Sequence, residues 1–292
     1  MRTKRFHLGL VVVVLFAILV ILPVVFMIAN SFMSAREAEN RYTSLVTAYN
    51  YLHSESGEHY MEVTLLPDVL TGDGYRDALL NDPLTLRLFW NSVLLAVPIL
   101  LGQLIVSPLA AFAFEMSHFR GKEALYFLYI LVMLMPLQLL MVPHYIAADV
   151  LGYNNTYLAI ILPSIFAPFG TFLLRQQMKG MDFSAVEAAR MEGASEWQVF
   201  SSVVLPSVKP TVAALTVLTF ADCWNIVDQA VVFIRDTFAE PLSVYLSRMV
   251  TADPGHIFAV ACVYMFPALL VFIWGHDNMA HGITLSSMGA GK

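Results

Sequence analysis

The stretch Ser184-Ala185-Val186-Glu187-Ala188-Ala189-Arg190-Met191-Glu192-Gly193-Ala194-Ser195-Glu196-Trp197-Gln198 lies between two apolar runs, 157–175 and 211–234. It continues through Val203 and Val204 to Leu205-Pro206 and Pro210. Its spacing predicts two short helices meeting at a bend. Ser184 with Glu187, and Ser195 with Gln198, each fit a capping box, in which a hydroxyl and a carboxylate or amide three residues on satisfy each other's free amides. Gly193 stands where a left-handed residue can end the first helix without Cβ strain. Pro206 and Pro210 close the second helix. The first helix is alanine-rich, so another surface can approach it closely. The second places Trp197, Phe200, Val203 and Val204 along one side. Such a loop can lie along one membrane face and present a knob to a partner.

The rest of the chain shows why a membrane face is expected. Of 292 residues, 58% are apolar and 13% charged, against roughly 45–50% and 25% in a soluble domain. A single soluble globule has too little interior for that excess. Lipid can take it, because a spanning helix needs about 20 mostly apolar residues. Six runs qualify, at 8–32, 88–114, 124–146, 157–175, 211–234 and 257–275, leaving 1–7 as an N-terminal segment and 8–292 as one membrane domain. The first run is long for a signal core, lacks a small-residue cleavage site, and reads as an uncleaved span.

Orientation follows the basic residues of short loops. With the N-terminus inside, the cytoplasmic segments carry Arg2, Lys4, Arg5, Arg120, Lys122, Arg175, Lys179, Arg190, Lys209 and Lys292. The outer segments carry only Arg36, Arg41, Arg76, Arg87, Arg235 and Arg248, so both termini are expected in the cytoplasm. The outer segment 33–87 is acidic (Glu37, Glu39, Glu55, Glu58, Glu62, Asp68, Asp73, Asp77, Asp82). It reads as a small ordered cap with a short strand at Tyr60–Leu66. The net charge of −6 gives no basic face for nucleic acid. Cys223 and Cys262 sit in apolar runs without CxxC spacing and read as core filler. Prolines 108, 136, 143, 163, 168 and 267 punctuate the spans, either as packing features or as kinks around a pathway.

Span five carries Asp222, Asn225, Asp228 and Gln229, which on one continuous helix fall within an arc of about 120°. Ionisable residues at membrane depth are costly and face a bundle interior or water. The stripe is therefore either a path lining or a hydrogen-bonded seam against another helix.

Glu187-Ala188-Ala189, three residues, Gly193, nine residues, Val203, one residue, Leu205-Pro206 resembles the "EAA" loop of ABC-importer permeases. Further features resemble carbohydrate-uptake permeases of the maltose-system smaller-subunit type. They are Asn91-Ser92, Met135-Pro136 with Val142-Pro143, Leu151-Gly152-Tyr153-Asn154-Asn155-Thr156-Tyr157, Trp224-Asn225, and the tail after Gly282-Ile283-Thr284. The proline usual before the Glu-Ala-Ala triplet is replaced by Met181-Asp182-Phe183, the usual Asp before the glycine is Glu192, and the chain ends Gly289-Ala290-Gly291-Lys292. The resemblance implies an all-α, six-helix type I ABC-importer permease fold in a bacterial inner membrane, with 175–210 as the coupling loop. It implies that Glu187, Ala188, Ala189, Gly193, Leu205 and Pro206 engage a separate ATPase, with Glu187 paired to a basic group there or simply capping its own helix. It also implies that Asp222, Asn225 and Gln229 bond substrate hydroxyls while Trp224 stacks on a sugar ring. The partners implied are a second, non-identical permease, two ATPase copies and an extracytoplasmic solute-binding protein. ATP and Mg would sit on the ATPase and no cofactor on this chain.

What is absent agrees with a non-enzyme. A Walker A cradle needs a strand, a glycine-rich loop and a helix start, and the terminal Gly289-Ala290-Gly291-Lys292 provides none of that context. No HExxH, GxSxG or Cys/His zinc spacing occurs, and His276 with His281 is poor ligand spacing. Three rival functions remain. An ABC permease could serve another small polar solute. A proton- or sodium-coupled carrier could use Asp222 and Asp228, although no internal repeat supports it. A polytopic enzyme would need a catalytic pair that the chain does not offer.

Overall fold

The computed structural model describes residues 2–34, 36–38, 41, 66–248 and 254–289. The expected strand at 60–66 lies outside them but for Leu66, as do Glu39, Glu55, Glu58, Glu62, the last three residues and the side chain of His281. Among the described residues four helices are long and apolar enough to cross a membrane, or six spans if each of two bent helix pairs is one. The chain divides into two compact units, 1–89 with 245–266, and 90–244 with 267–292.

In the first unit, α1 (Arg2–Asn30) is apolar all round, and Leu10 to Leu22 expose nearly every large side chain, Phe16 at 68%. Such a surface suits hydrocarbon, which a spanning helix of this length and composition meets. Beyond α1 the chain tightens. Ser31 Oγ bonds Tyr75 Oη at 2.7 Å, and Met33 forms an isolated antiparallel bridge with Leu70. Glu37 accepts the amides of Asp68 and Val69, while Arg41 pairs with both Glu37 (3.0 Å) and Asp68 (2.6 Å). The short helix α2 (Asp73–Arg76) runs into a π-wound turn, Asp77–Asn81, ahead of α3 (Pro83–Met116).

In the second unit the breaks follow backbone rules. Helix α4 (Lys122–Leu134) stops at Met135 and α5 (Leu137–Val150) starts after Pro136, with a bend of 108° between them. Met135 is extended (ψ 134°) because a residue before proline is pushed out of the helical region. The same rule separates α6 (Leu158–Ile165) from α7 (Pro168–Lys179), where Ala167 has ψ 132°. Pro98, Pro108, Pro143, Pro163 and Pro267 stay inside their helices.

The loop helices are α8 (Ser184–Met191) and α9 (Glu196–Ser207). Span five opens with α10 (Lys209–Trp224), bent 75° from α9. It does not continue as one helix: α11 (Asp228–Phe233) is a separate short piece. The chain closes with α12 (Leu242–Arg248) and the long α13 (Pro254–Gly289).

Small residues set the helix approaches in this unit. A Cβ on Gly102 would lie 2.5 Å from Ile165 Cγ1, and one on Gly170 would lie 2.5 Å from Ser107 Oγ. One on Gly275 would overlap Val217. Glycine permits these close crossings, which in a membrane replace the missing hydrophobic drive with packing contact.

Candidate functional sites in the 179–210 loop and span five

The loop is a helix–turn–helix seated on the ends of three spans. Val186, Val199, Phe200, Val204 and Val208 pack with Ala111, Phe112 and Met116 of α3, Leu174 and Met178 of α7, and Leu215 of α10. Phe112 and Phe200 meet edge-on at 5.3 Å. The loop base is therefore a continuation of the helix core, and displacement of one should carry the other.

At the bend Gly193 has φ +86°, with its amide on Arg190 O and the Ala194 amide on Ala189 O. The expected left-handed ending is present. The capping box of the second helix is present too: Ser195 Oγ accepts the Gln198 amide and Gln198 Oε1 accepts the Ser195 amide. The capping box expected for the first helix is not. Ser184 is already helical, and its amide bonds Asp182 Oδ1 at 3.0 Å. The Ser184 amide and hydroxyl hold the Asp182 carboxyl below the ordinary carboxylate range. Asp182, two residues ahead of α8, thus satisfies the helix's first free amide. Glu187 makes no cap and is left exposed beside exposed Ala188, while Ala189 is half-buried.

The expected apolar side of the second helix also needs correction. Phe200 and Val204 are buried, but Trp197 is 64% exposed. The helix is π-wound over Val199–Val204, just ahead of Pro206, which offers no amide. Trp197, ahead of this stretch, keeps its ring 5.5 Å from that of Phe200 while most of the indole is exposed. Trp197 and Met191, 88% exposed, thus flank the tip. Leu205 is half-buried and Pro206 exposed at the loop's far end.

The polar stripe of span five is not on one helix. Helix α10 ends at Trp224, and Asp228 and Gln229 begin α11 beyond a break at 225–227. The break contains neither proline nor glycine. Asn225 Nδ2 bonds back to Ala221 O at 2.9 Å, and Ser243 Oγ takes up Ile226 O at 2.5 Å, so side chains satisfy the interrupted backbone. Asp222, Asn225 and Asp228 are exposed on this chain. Gln229 is half-buried, with Oε1 unpartnered among the described residues. Trp224 does not face outward: it is 2% exposed and its ring stacks on Phe220 at 5.3 Å. The expected sugar-stacking role of Trp224 is therefore not supported by its position on this chain. Cys223 is buried, with Sγ toward Ala96 O at 3.7 Å, as a core residue.

Residues 88–284 match the family described as binding-protein-dependent transport system inner membrane component. The chain belongs to that family. It is 27% identical over 231 residues to the arabinooligosaccharides transport system permease protein AraQ of Halalkalibacterium halodurans, covering 77% of this chain and 83% of that one. It is 30% identical over 198 residues to the lactose transport system permease protein LacG of Rhizobium radiobacter, covering 67% and 72%. A crystal structure of a bacterial ABC transporter involved in the import of the acidic polysaccharide alginate contains a chain that superposes with a TM-score of 0.74 at 22% identity, covering 95% of this chain and 98% of that one. The fold is that of a type I ABC-importer permease, and the protein is a multi-pass membrane protein.

Within this permease, motifs that look scattered in sequence converge on the loop after α11. Asn91 Nδ2 donates to Phe238 O (2.9 Å) and Glu240 O (3.0 Å), and Ser92 Oγ accepts the Leu242 amide. Tyr157 Oη donates to Ala239 O, and Asn155, at φ +59°, accepts the Arg235 amide on Oδ1. Arg235 Nη2 reaches Tyr145 Oη at 3.1 Å. The Asn91-Ser92 pair and the 151–157 segment thus clamp one loop.

Two further groups were not singled out from sequence. Arg175, 9% exposed, pairs through Nε with Glu115 at 3.0 Å and through Nη2 with Glu123 at 3.3 Å, and lies over the Tyr126 ring at 3.6 Å. It joins α3, α4 and α7. Gln103 Nε2 donates to Ser164 O at 2.8 Å. That carbonyl cannot take the usual amide from residue 168, which is proline, and accepts the Ala167 amide at 3.2 Å as well. Gln103 Oε1 in turn accepts Thr219 Oγ1 at 3.0 Å, tying α3, α6 and α10 together. A buried Gln in an apolar run and an Arg following one are the sequence signals that could have flagged both.

Proposed function

We propose that this permease is one half of the membrane channel of an ATP-driven importer for a carbohydrate, seated in a bacterial inner membrane with both termini cytoplasmic. It pairs with a second, non-identical permease, two ATPase subunits that hold ATP and Mg, and an extracytoplasmic solute-binding protein. Membership in the binding-protein-dependent family supports the importer class. The named cargoes of the relatives, arabinooligosaccharides and lactose, support the substrate class.

The observation that carries the mechanism is the loop: a rigid base fused to the ends of three spans, with an exposed tip. In this reading the tip docks on the ATPase. Glu187 meets a basic group there, Ala188 and Ala189 allow close approach, Gly193 makes the bend, and Leu205-Pro206 joins the loop to span five. A movement of the ATPase then reaches α10 through Phe200, Val204 and Leu215.

The test uses Glu187→Ala and Gly193→Asp in the whole importer. A Cβ at Gly193 meets nothing within 4 Å, so the added side chain does not clash inside this chain. Left-handed backbone costs a non-glycine residue only about 1–2 kcal/mol. The expected result is an unchanged amount of permease in the membrane, with reduced ATPase co-purification and uptake. Normal coupling in both variants would overturn the docking role.

The same reading places Asp222, Asn225 and Gln229 along a water-accessible path, with Trp224 behind them. Single cysteines at the three positions, with Cys223 and Cys262 replaced by alanine, are expected to react with a small hydrophilic thiol reagent. Reactivity should differ between resting and ATP-bound importer. Cysteines at buried Phe220 and Leu215 should stay inert. Stripe positions as inert as these controls in every state would make the stripe a helix–helix seam. A proton-coupled carrier is separated by Asp222→Asn, which leaves an ATP-driven importer active and stops a protonation-driven one.

A further inference from the structure

The tip of the loop holds an ion pair that the docking reading does not use. Arg190, at the end of α8, forms a two-pronged bond with Glu196, at the start of α9: Nε to Oε1 at 3.0 Å and Nη2 to Oε2 at 2.9 Å. The pair spans the Gly193 turn, and its side chains are 35% and 60% exposed.

The turn does not need the pair in order to form. Gly193 supplies the left-handed residue, the amides of 192, 193 and 194 are bonded to carbonyls of α8, and Ser195 with Gln198 caps α9. An exposed ion pair adds little to folding stability. What the parallel two-pronged geometry adds is direction: it fixes the relative orientation of the two groups, where a single hydrogen bond leaves rotation free.

The pair's neighbours matter as well. Exposed Met191 directly follows Arg190 in sequence, and exposed Trp197 directly follows Glu196. A partner that covers these apolar side chains also lowers the dielectric around the pair, which strengthens it. Because each charge is already matched within the loop, covering the tip buries no unpaired charge.

We infer that Arg190 and Glu196 are positioning residues that brace α8 against α9, so that the loop moves as a rigid lever when the ATPase pushes on its tip. This inference rests on the docking reading above and assigns no partner contact to either residue. Removing one member loosens the two helices at the tip, beyond their packed base, and leaves a lone charge there. Reversing the pair restores both the brace and the charge match.

The experiment uses the whole importer in lipid nanodiscs, with spin labels on cysteines at exposed Ala185 and Ser202 of one permease and Cys223 and Cys262 replaced by alanine. The labels report the distance between α8 and α9. The unsubstituted pair is expected to give a narrow distribution. Arg190→Ala and Glu196→Ala should each broaden it and lower the complex's ATPase activity several-fold. The reversed pair, Arg190→Glu with Glu196→Arg, should narrow the distribution again and recover most of the activity.

Narrow distributions in both alanine variants would overturn the brace, whatever happens to activity, since a loss without broadening means direct contact with the ATPase. Failure of the reversed pair to restore the distribution would overturn it too. Glu187→Ala in the same assay keeps the two ideas apart: its loss of activity with a narrow distribution upholds docking independently of the brace.

Discussion

Arg175→Met is expected to destabilise the permease by about 3–5 kcal/mol, toward the lower end because Glu115 keeps some access to water. The Glu115 side chain is 15% exposed, and in the folded chain Arg175 is its ion-pair partner at 3.0 Å. Methionine fills the space along Tyr126 but leaves a nearly buried carboxylate without a cation. Breaking a buried pair on one side is far more harmful than replacing both members, because the surviving charge loses its solvation and its partner together. Arg175→Met with Glu115→Leu is therefore expected to recover a large share of the loss. Glu123→Gln should cost less than about 1 kcal/mol, since that side chain is 75% exposed. Thermal unfolding of the solubilised complex, followed by a fluorescent tag on the permease, measures all three. Equal loss in the single and double variants would show that Arg175 acts by shape alone.

Gly102→Ala carries the second large effect. The new methyl would stand 2.5, 2.6 and 2.9 Å from three atoms of Ile165, so α3 and α6 must separate or Ile165 must leave its rotamer. Overpacking of this kind costs about 1–3 kcal/mol. If the clash is with Ile165, then Ile165→Ala should make Gly102→Ala nearly harmless, and the double-mutant cycle should show coupling of about 1–2 kcal/mol. Additive losses would place the obstruction elsewhere. Helix α6 ends at Ile165, beside the break that Gln103 bonds across, so a shifted α3 would also disturb the Gln103–Ser164 bond.

Local signals were legible where local physics dominates. Ser195, Gln198 and Gly193 act within a few residues of themselves, so the second cap and the left-handed bend were readable before any packing was known. The extended residue before Pro136 was readable in the same way, but the 108° bend was not, since neighbouring helices set the angle. The first cap was misread because Asp182 and Ser184 both suit a helix start and the choice between them depends on where Phe183 packs. The stripe of span five was misread for a different reason. A hydrophobic run predicts an unbroken helix, yet Ser243 offers a hydroxyl to Ile226 O from 17 residues away and makes the break at 225–227 tolerable. The burial of Trp224, stacked on Phe220, was likewise not legible, because tertiary packing and not spacing orients the indole.

Residue order alone carries the family pattern, the long apolar runs and the place of the exposed loop, although the runs at 124–146 and 211–234 each fold as two helices. Lipid demands long apolar runs whatever surrounds them, and the Glu-Ala-Ala-to-Leu-Pro spacing is a local pattern. The tertiary structure decided which polar groups meet. Asn91 with Glu240, Gln103 with Thr219 and Arg175 with Glu115 are separated by 149, 116 and 60 residues. Nothing local selects such partners. They are chosen by how closely the glycines let the helices approach, and by the need of every carbonyl and charge removed from water to find a mate.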